Sequence, residues 1–155
     1  MKLILNLILL ILSMAVYSAE IIGKVVKVAD GDTITVLSNG IKHRIRLLKI
    51  DAPELKQSYG IKSKQYLETL IYHKQVKVVY SSTDRYKRIL GIVYLGDNEI
   101  NLQMVQSGLA WHYIYNDKTL SYIQAEKSAK EKKIGLWSEK NPVNPYIFRK
   151  NNKKR

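Results

Sequence analysis

The chain contains no cysteine. That absence excludes disulfide bridges, a thiolate metal centre, a cysteine nucleophile and a lipoprotein anchor. Histidine is almost as scarce: His43, His73 and His112 share no ligand spacing and are given no catalytic role, so any bound metal has to rely largely on oxygen. Acidic residues are outnumbered, with thirteen Asp and Glu against twenty-six Lys and Arg, for a formal charge of +13. A surface of that sign attracts polyanions, either nucleic acid or an anionic membrane. The membrane reading needs a helix with a broad apolar face, and the longest late helical stretch, Leu120 to Lys133, is mostly Lys, Glu, Ala and Ser. Internal repeats are also missing. At 155 residues, 46% of them hydrophobic, the chain has room for one domain around one core.

A long apolar run is lacking too. Leu3 to Leu12 is apolar except for Asn6, which is shorter than the ~20 residues needed to span a bilayer. Met1-Lys2 precedes it and smaller residues follow from Ser13 to Ala19, so residues 1–19 read as a secretory signal peptide. Cleavage after Ser18 leaves Val16 and Ser18 at the small-residue positions, whereas cleavage after Ala19 puts Tyr17 there, and both sites stay open. The expectation is an exported protein, periplasmic or secreted, with no stable membrane association after processing.

What is present is a regular alternation of β-branched runs. Ile21 to Val28 and Thr33 to Leu37 are two strands, Ser38-Asn39-Gly40 is a hairpin turn, and Lys42 to Ile50 is a third strand. Ser63, Leu67, Leu70 and Ile71 recur at helical spacing within Ser58 to His73. Gln75 to Tyr80 and Ile89 to Leu95 return to the strand pattern, and Ile100 to Gln106 and Leu120 to Lys133 read as helices stopped by Gly108 and Gly135. The order β-β-β-α-β-β predicts an α+β fold, a five-stranded Greek-key barrel of the oligonucleotide-binding (OB-fold) kind with about three helices, over residues 20–140. Residues 141–155, with Pro142, Pro145 and a run of Asn, Lys and Arg, read as a basic, flexible tail.

Two acidic clusters carry the chemistry. Asp30-Gly31-Asp32-Thr33 enters the second strand and Asp51-Ala52-Pro53-Glu54 leaves the third; alone, each is an ordinary turn sequence. The hairpin at Asn39-Gly40 puts the start of strand two and the end of strand three at the same open end, so Asp32 and Asp51 should be neighbours. Two carboxylates forced together repel unless a cation or a proton lies between them, and hard oxygen ligands select calcium or magnesium. Calcium tolerates the irregular geometry of so sparse a site, which water and a substrate phosphate would complete. Charge developing at phosphorus calls for arginine donors. Arg46 lies five residues before Asp51; Arg88 opens the last strand and by parity with Leu90 and Ile92 is expected to point inward. Arg44 and Arg85 are read as surface salt-bridge or steering residues.

With these residues in place the chain resembles the staphylococcal nuclease family over Ile21 to about Glu139. The landmarks are Asp30-Gly31-Asp32-Thr33, Ile45-Arg46-Leu47-Leu48-Lys49-Ile50-Asp51-Ala52-Pro53-Glu54, Thr83-Asp84-Arg85-Tyr86-Lys87-Arg88, Gly108-Leu109-Ala110 and Gly135-Leu136-Trp137-Ser138. The resemblance implies calcium (Ca2+) held by Asp32, Asp51 and the backbone carbonyl of Ala52, with Glu54 as general base. It implies Arg46 and Arg88 on the phosphate and Tyr86, Tyr113 and Tyr115 lining the nucleotide pocket. It further implies a monomeric nuclease acting on DNA and/or RNA, favouring single strands and leaving 3′-phosphates. Lys87 stands where many members have glycine, the segment from Glu54 to Tyr59 is short, and Trp111-His112-Tyr113 is one residue shorter than the family pattern. The alternative, a non-catalytic OB-fold nucleic-acid-binding module, is expected to lose the acids or the arginines. Here Asp32, Asp51, Glu54, Arg46 and Arg88 are all present.

Overall fold

The computed structural model describes residues 18–115 and 117–152. The expected leader falls on residues that lie, through Tyr17, outside that range. Five main strands form the body: β1 (Ala19–Val28), β2 (Thr33–Ser38), β3 (Ile41–Leu47), β5 (Gln75–Thr83) and β6 (Ile89–Leu95). A two-residue strand β4 (Ile50–Asp51) follows β3. The sheet runs β3-β2-β1-β5-β6, and a parallel pairing of β3 with β6, Ile45 opposite Ile89 and Leu47 opposite Gly91, closes it into a barrel. This is the α+β, OB-like architecture expected from the strand order.

Alternation decides the core. Val25, Ile34, Val36, Ile45, Leu47, Val78 and Val93 are fully buried and face one another inside the barrel. Each such side chain contributes roughly 1.5–3 kcal/mol through the apolar area it removes from water. The helix α1 (Gly60–Ile71) plugs one end with Leu67 and Ile71, the i and i+4 pair of its buried stripe. Beyond β6 come the short strand β7 (Asn98–Glu99), helix α2 (Ile100–Gln106), the two-residue strand β8 (Trp111–His112) and helix α3 (Leu120–Glu131). A 3-10 turn at Gly135–Ser138 precedes helix α4 (Pro145–Asn152).

Three expectations need correction. The third strand does not run on to Ile50: Lys49 takes a left-handed φ of 67°, and the chain turns between Leu47 and Ile50. Arg46 Nη1 wraps this kink, donating to Leu47 O at 2.7 Å and Ile50 O at 2.9 Å. The buried Asn101 braces it from α2, giving Nδ2 to Leu48 O and Gly91 O and taking the Val93 N–H on Oδ1. Next, Leu90 and Ile92 are on the outer face of β6, while Gly91 and Val93 face the core. An added Cβ at Gly91 would lie 2.5 Å from Val78 Cγ1, so the core-facing position there carries no side chain to betray itself in a hydrophobic pattern. Arg88 therefore shares parity with the outer face and does not point into the barrel. Finally, the segment from Asn141 is not irregular throughout, because Pro145 to Asn152 forms a fourth helix. Asn144 Oδ1 accepts the Tyr146 N–H at 2.9 Å and Pro145 takes the first helical position, where its missing N–H costs nothing.

Candidate active site

Asp32 is placed by its own turn. Its N–H donates to Asp30 Oδ1 at 3.0 Å, and Gly31 between them lies so close to α1 that a Cβ would sit 1.9 Å from Ser63 Oγ and 2.7 Å from Ala52 Cβ. Only glycine lets the two segments approach, and the approach lets Ala52 N–H donate to Asp32 Oδ2 at 2.7 Å. Asp51 comes from β4, which the kink after β3 directs towards β8, with Asp51 opposite Trp111. Arg46 Nη2 stands between the two acids, 3.1 Å from Asp32 Oδ2 and 3.0 Å from Asp51 Oδ1. The expected adjacency of Asp32 and Asp51 is thus a feature of the structure.

Burial stresses this pair. Asp32 is 6% exposed and Asp51 2% exposed. Burial pushes the Asp32 carboxyl up to about 6, and Asp30 adds to the rise while Arg46 and the Ala52 N–H oppose it. Burial also raises Asp51, with the adjacent Asp32 in the same direction and Arg149 and Arg46 against it. Neighbouring carboxylates whose ionised forms are held at a cost are a natural seat for a cation. Among the described residues no three Asp, Glu, His or Cys side chains converge on one point, so the protein offers two carboxylates plus backbone. That all-oxygen set fits a hard divalent ion whose shell is completed by water and substrate.

The other expected residues gather around one cleft of about 610 Å³. Ala52, Glu54, Tyr86, Arg88 and Tyr113 line it together with Asp32, Asp51 and Arg46, whereas Tyr115 lies outside its walls. Arg88 donates Nε to Asp84 Oδ2 at 2.7 Å, and its two Nη groups make no hydrogen bond among the described residues. Asp84 Oδ1 in turn accepts the N–H groups of Tyr86 and Arg88, each at 2.9 Å. Burial works to raise Asp84, but these donors and the guanidinium outweigh it and hold its carboxyl below the ordinary value. The Tyr86 ring is 61% exposed and carries the guanidinium carbons of Arg85 and Arg88 at 4.9 and 5.6 Å. Tyr113 packs edge-on to the exposed Tyr115 at 5.5 Å. Lys87, at the glycine position of the family pattern, adopts the φ of 60° that a glycine there would take.

Asp84, which holds Arg88, and Arg149 are cleft residues with no role expected from the sequence. Arg149, on α4, forks across Asp51, Nη1 to Oδ1 at 3.0 Å and Nη2 to Oδ2 at 2.9 Å, and also donates Nη1 to Glu54 Oε1 at 2.9 Å. The Asn144-Pro145 pair, a cap followed by a helix-starting proline, is the signal in the chain for the helix that carries it. His112, in contrast, is structural: it is buried and its Nε2 lies 2.8 Å from Asp117 Oδ2, which ties β8 to the start of α3.

A family model described as staphylococcal nuclease homologue matches residues 44–139. An uncharacterized endonuclease of Escherichia coli is 48% identical over 146 residues, covering 92% of this chain and 94% of its own. An uncharacterized endonuclease of Haemophilus influenzae is 44% identical over 131 residues, covering 84% of this chain and 74% of its own. A micrococcal nuclease of Shigella flexneri is 40% identical over 146 residues, with 87% and 84% covered. Asp51, Glu54 and Arg88 lie inside the matched family span; Asp32 and Arg149 lie outside it.

Proposed function

Since the chain belongs to the staphylococcal nuclease family, we propose that this nuclease is exported, depends on calcium, and hydrolyses DNA and/or RNA to leave 3′-phosphates. The observation that carries the hydrolytic reading is the buried Asp32–Asp51 pair, bridged by one arginine nitrogen, in a cleft that also holds Glu54 and Arg88, whose Nη groups make no hydrogen bond among the described residues.

Asp32, Asp51 and the Ala52 carbonyl are the residues to hold calcium. Bound there, it supplies positive charge to a non-bridging phosphate oxygen. Glu54, at the cleft wall, accepts a proton from the attacking water, directly or through a second water. Water oxygen bonds to phosphorus, the bond from phosphorus to the 5′-oxygen breaks, and that oxygen takes a proton from solvent water to leave as a hydroxyl. Arg88, steadied through Nε by Asp84, keeps its Nη groups for the equatorial oxygens, where charge is greater in the transition state than in the ground state. Arg46 has committed Nη1 to the carbonyls of the kink and Nη2 to Asp32 and Asp51, so its contact with phosphate uses Nε. Exposed Tyr86 and Tyr115, with Tyr113, offer ring faces that any base can stack on, which favours single strands over a defined sequence.

Plasmid and RNA digestion with calcium, with chelator and with magnesium tests the reaction. Cleavage in calcium and none in chelator is expected. Full hydrolysis in magnesium alone, after calcium has been stripped, removes the calcium assignment. Export is checked by mass spectrometry of the periplasmic or secreted protein, whose N-terminus should be Ala19 or Glu20; a mature protein that still begins at Met1 removes the leader.

A further inference from the structure

We propose that Arg149 is a built-in counter-ion of the acidic site, a positioning residue that a divalent cation must displace in order to bind, so that cation affinity is set by the docking of α4. The inference rests on the cation reading above and goes beyond it by assigning this role to a residue outside the family span.

Two cations compete for the same acid. Arg149 reaches its partner from 98 positions away in sequence and meets both oxygens of Asp51 in the parallel fork that makes the strongest guanidinium–carboxylate contact. Asp51 Oδ1 also takes Arg46 Nη2, and Glu54 Oε1 takes Arg149 Nη1. Both carboxylates that line this side of the cleft are therefore already compensated by arginine. Calcium binds carboxylate oxygen at ~2.3–2.6 Å. On Asp51 it places two positive charges within ~5 Å of the Arg149 guanidinium, in a spot where the carboxylate is only 3% exposed and water screens poorly. The two cations compete there, and Arg149 is the less tethered of the two arginines. Arg46 springs from a barrel strand and is stapled to two backbone carbonyls, whereas Arg149 is 37% exposed on a helix of eight residues. A helix so short is marginal without tertiary contacts, and Pro145 is its sole buried residue. Its docking and cation binding at Asp51 are consequently linked, and linkage is reciprocal: what weakens the Arg149 contact tightens the cation, and the cation loosens α4.

The test measures calcium binding without nucleic acid, by titration calorimetry on the whole chain. Arg149→Ala should bind calcium roughly tenfold more tightly than wild type, the scale expected when one charge-assisted contact no longer has to be broken. Arg149→Lys, which keeps charge but loses the fork, should fall between them. The melting temperature of Arg149→Ala should drop in chelator and recover to near wild type in saturating calcium, whereas a merely structural arginine lowers it in both. A measurement on the wild type avoids any folding defect in the variants: amide hydrogen exchange across Phe148 to Asn152 should accelerate when calcium is added. If calcium binds wild type and Arg149→Ala equally, or binds the variant more weakly, the counter-ion role is wrong and the cation site stands. Exchange in α4 that ignores calcium is equally fatal to it. If neither protein binds calcium while wild type still cleaves, the cation reading itself fails and takes this inference with it.

Discussion

Two arginine–carboxylate contacts line the same cleft and behave oppositely. Asp84 meets Arg88 at 2.7 Å and Asp51 meets Arg46 at 3.0 Å, so by distance the two are near equals. Yet Asp84 is held below its ordinary value while Asp51 is raised. The difference lies in what else surrounds each acid. Asp84 is a single carboxylate in a loop, supplied with two backbone N–H donors besides its arginine, so its charge is satisfied. Asp51 is buried beside Asp32, and although Arg46 bridges the two and Arg149 forks onto Asp51, burial and the neighbouring carboxylate outweigh them. The first pair holds a side chain in place; the second stores electrostatic stress that another cation can relieve. A contact distance alone does not separate these roles, and the neighbouring charges and donors do.

Four substitutions break or sharpen that contrast. Asp51→Asn removes half of the stressed pair and should cost on the order of a thousandfold or more in cleavage rate, which steady-state kinetics on a single-stranded substrate will show. Near-native turnover there would remove the acidic pair from the mechanism. Arg88→Lys and Arg46→Lys should each lower turnover about a hundredfold, because lysine keeps charge without the fork. The two should part in thermal stability: Arg46 also braces the kink after β3, so its variant melts lower, while the Arg88 variant melts near wild type. Asp84→Asn should cost only about tenfold in turnover, since it loosens Arg88 without removing it.

The same Asp84 variant has a pH signature. A carboxylate held below its ordinary value adds stability that is present above the unfolded value of ~3.9 and is lost as pH falls through the lower folded value. Asp84→Asn should therefore lose less stability than wild type on going from roughly pH 5 to pH 3, as read by melting temperature. An identical loss in both proteins would mean that the loop charge is not satisfied as the geometry indicates. The smallest effect belongs to Lys87→Gly, which relieves the left-handed backbone at φ 60° and should raise stability by up to ~1 kcal/mol with turnover unchanged.

Much of the fold and of the cleft is legible in the order of residues. Strands β2, β5 and β6 and helix α2 fall where periodicity and turn residues put them, and the hairpin at Asn39-Gly40 brings the start of β2 beside the end of β3, from which the kink at Lys49 carries Asp51 to Asp32. The departures share a cause. Lys49 carries a left-handed φ that nothing in its side chain requires, so Leu47-Leu48-Lys49-Ile50 reads as unbroken strand. Gly91 occupies a core-facing position with no side chain, so alternation assigns β6, and Arg88 with it, to the wrong face. Helix α4 spans eight residues with one of them buried, too little for periodicity to register, though its cap and proline mark its start.

Local chemistry along the chain determined the barrel class, the basic surface, the reliance on oxygen for any metal, and the acids and arginines that furnish the cleft. These follow from neighbours a few residues apart, where propensity, turn type and alternation act. The tertiary structure alone decided how those groups share charge: Arg46 is divided between two acids and two carbonyls, and Arg149 is brought across 98 positions onto Asp51. Charges act through space and over short distances, and the order of residues in a chain does not record which of them will be brought within about 3 Å.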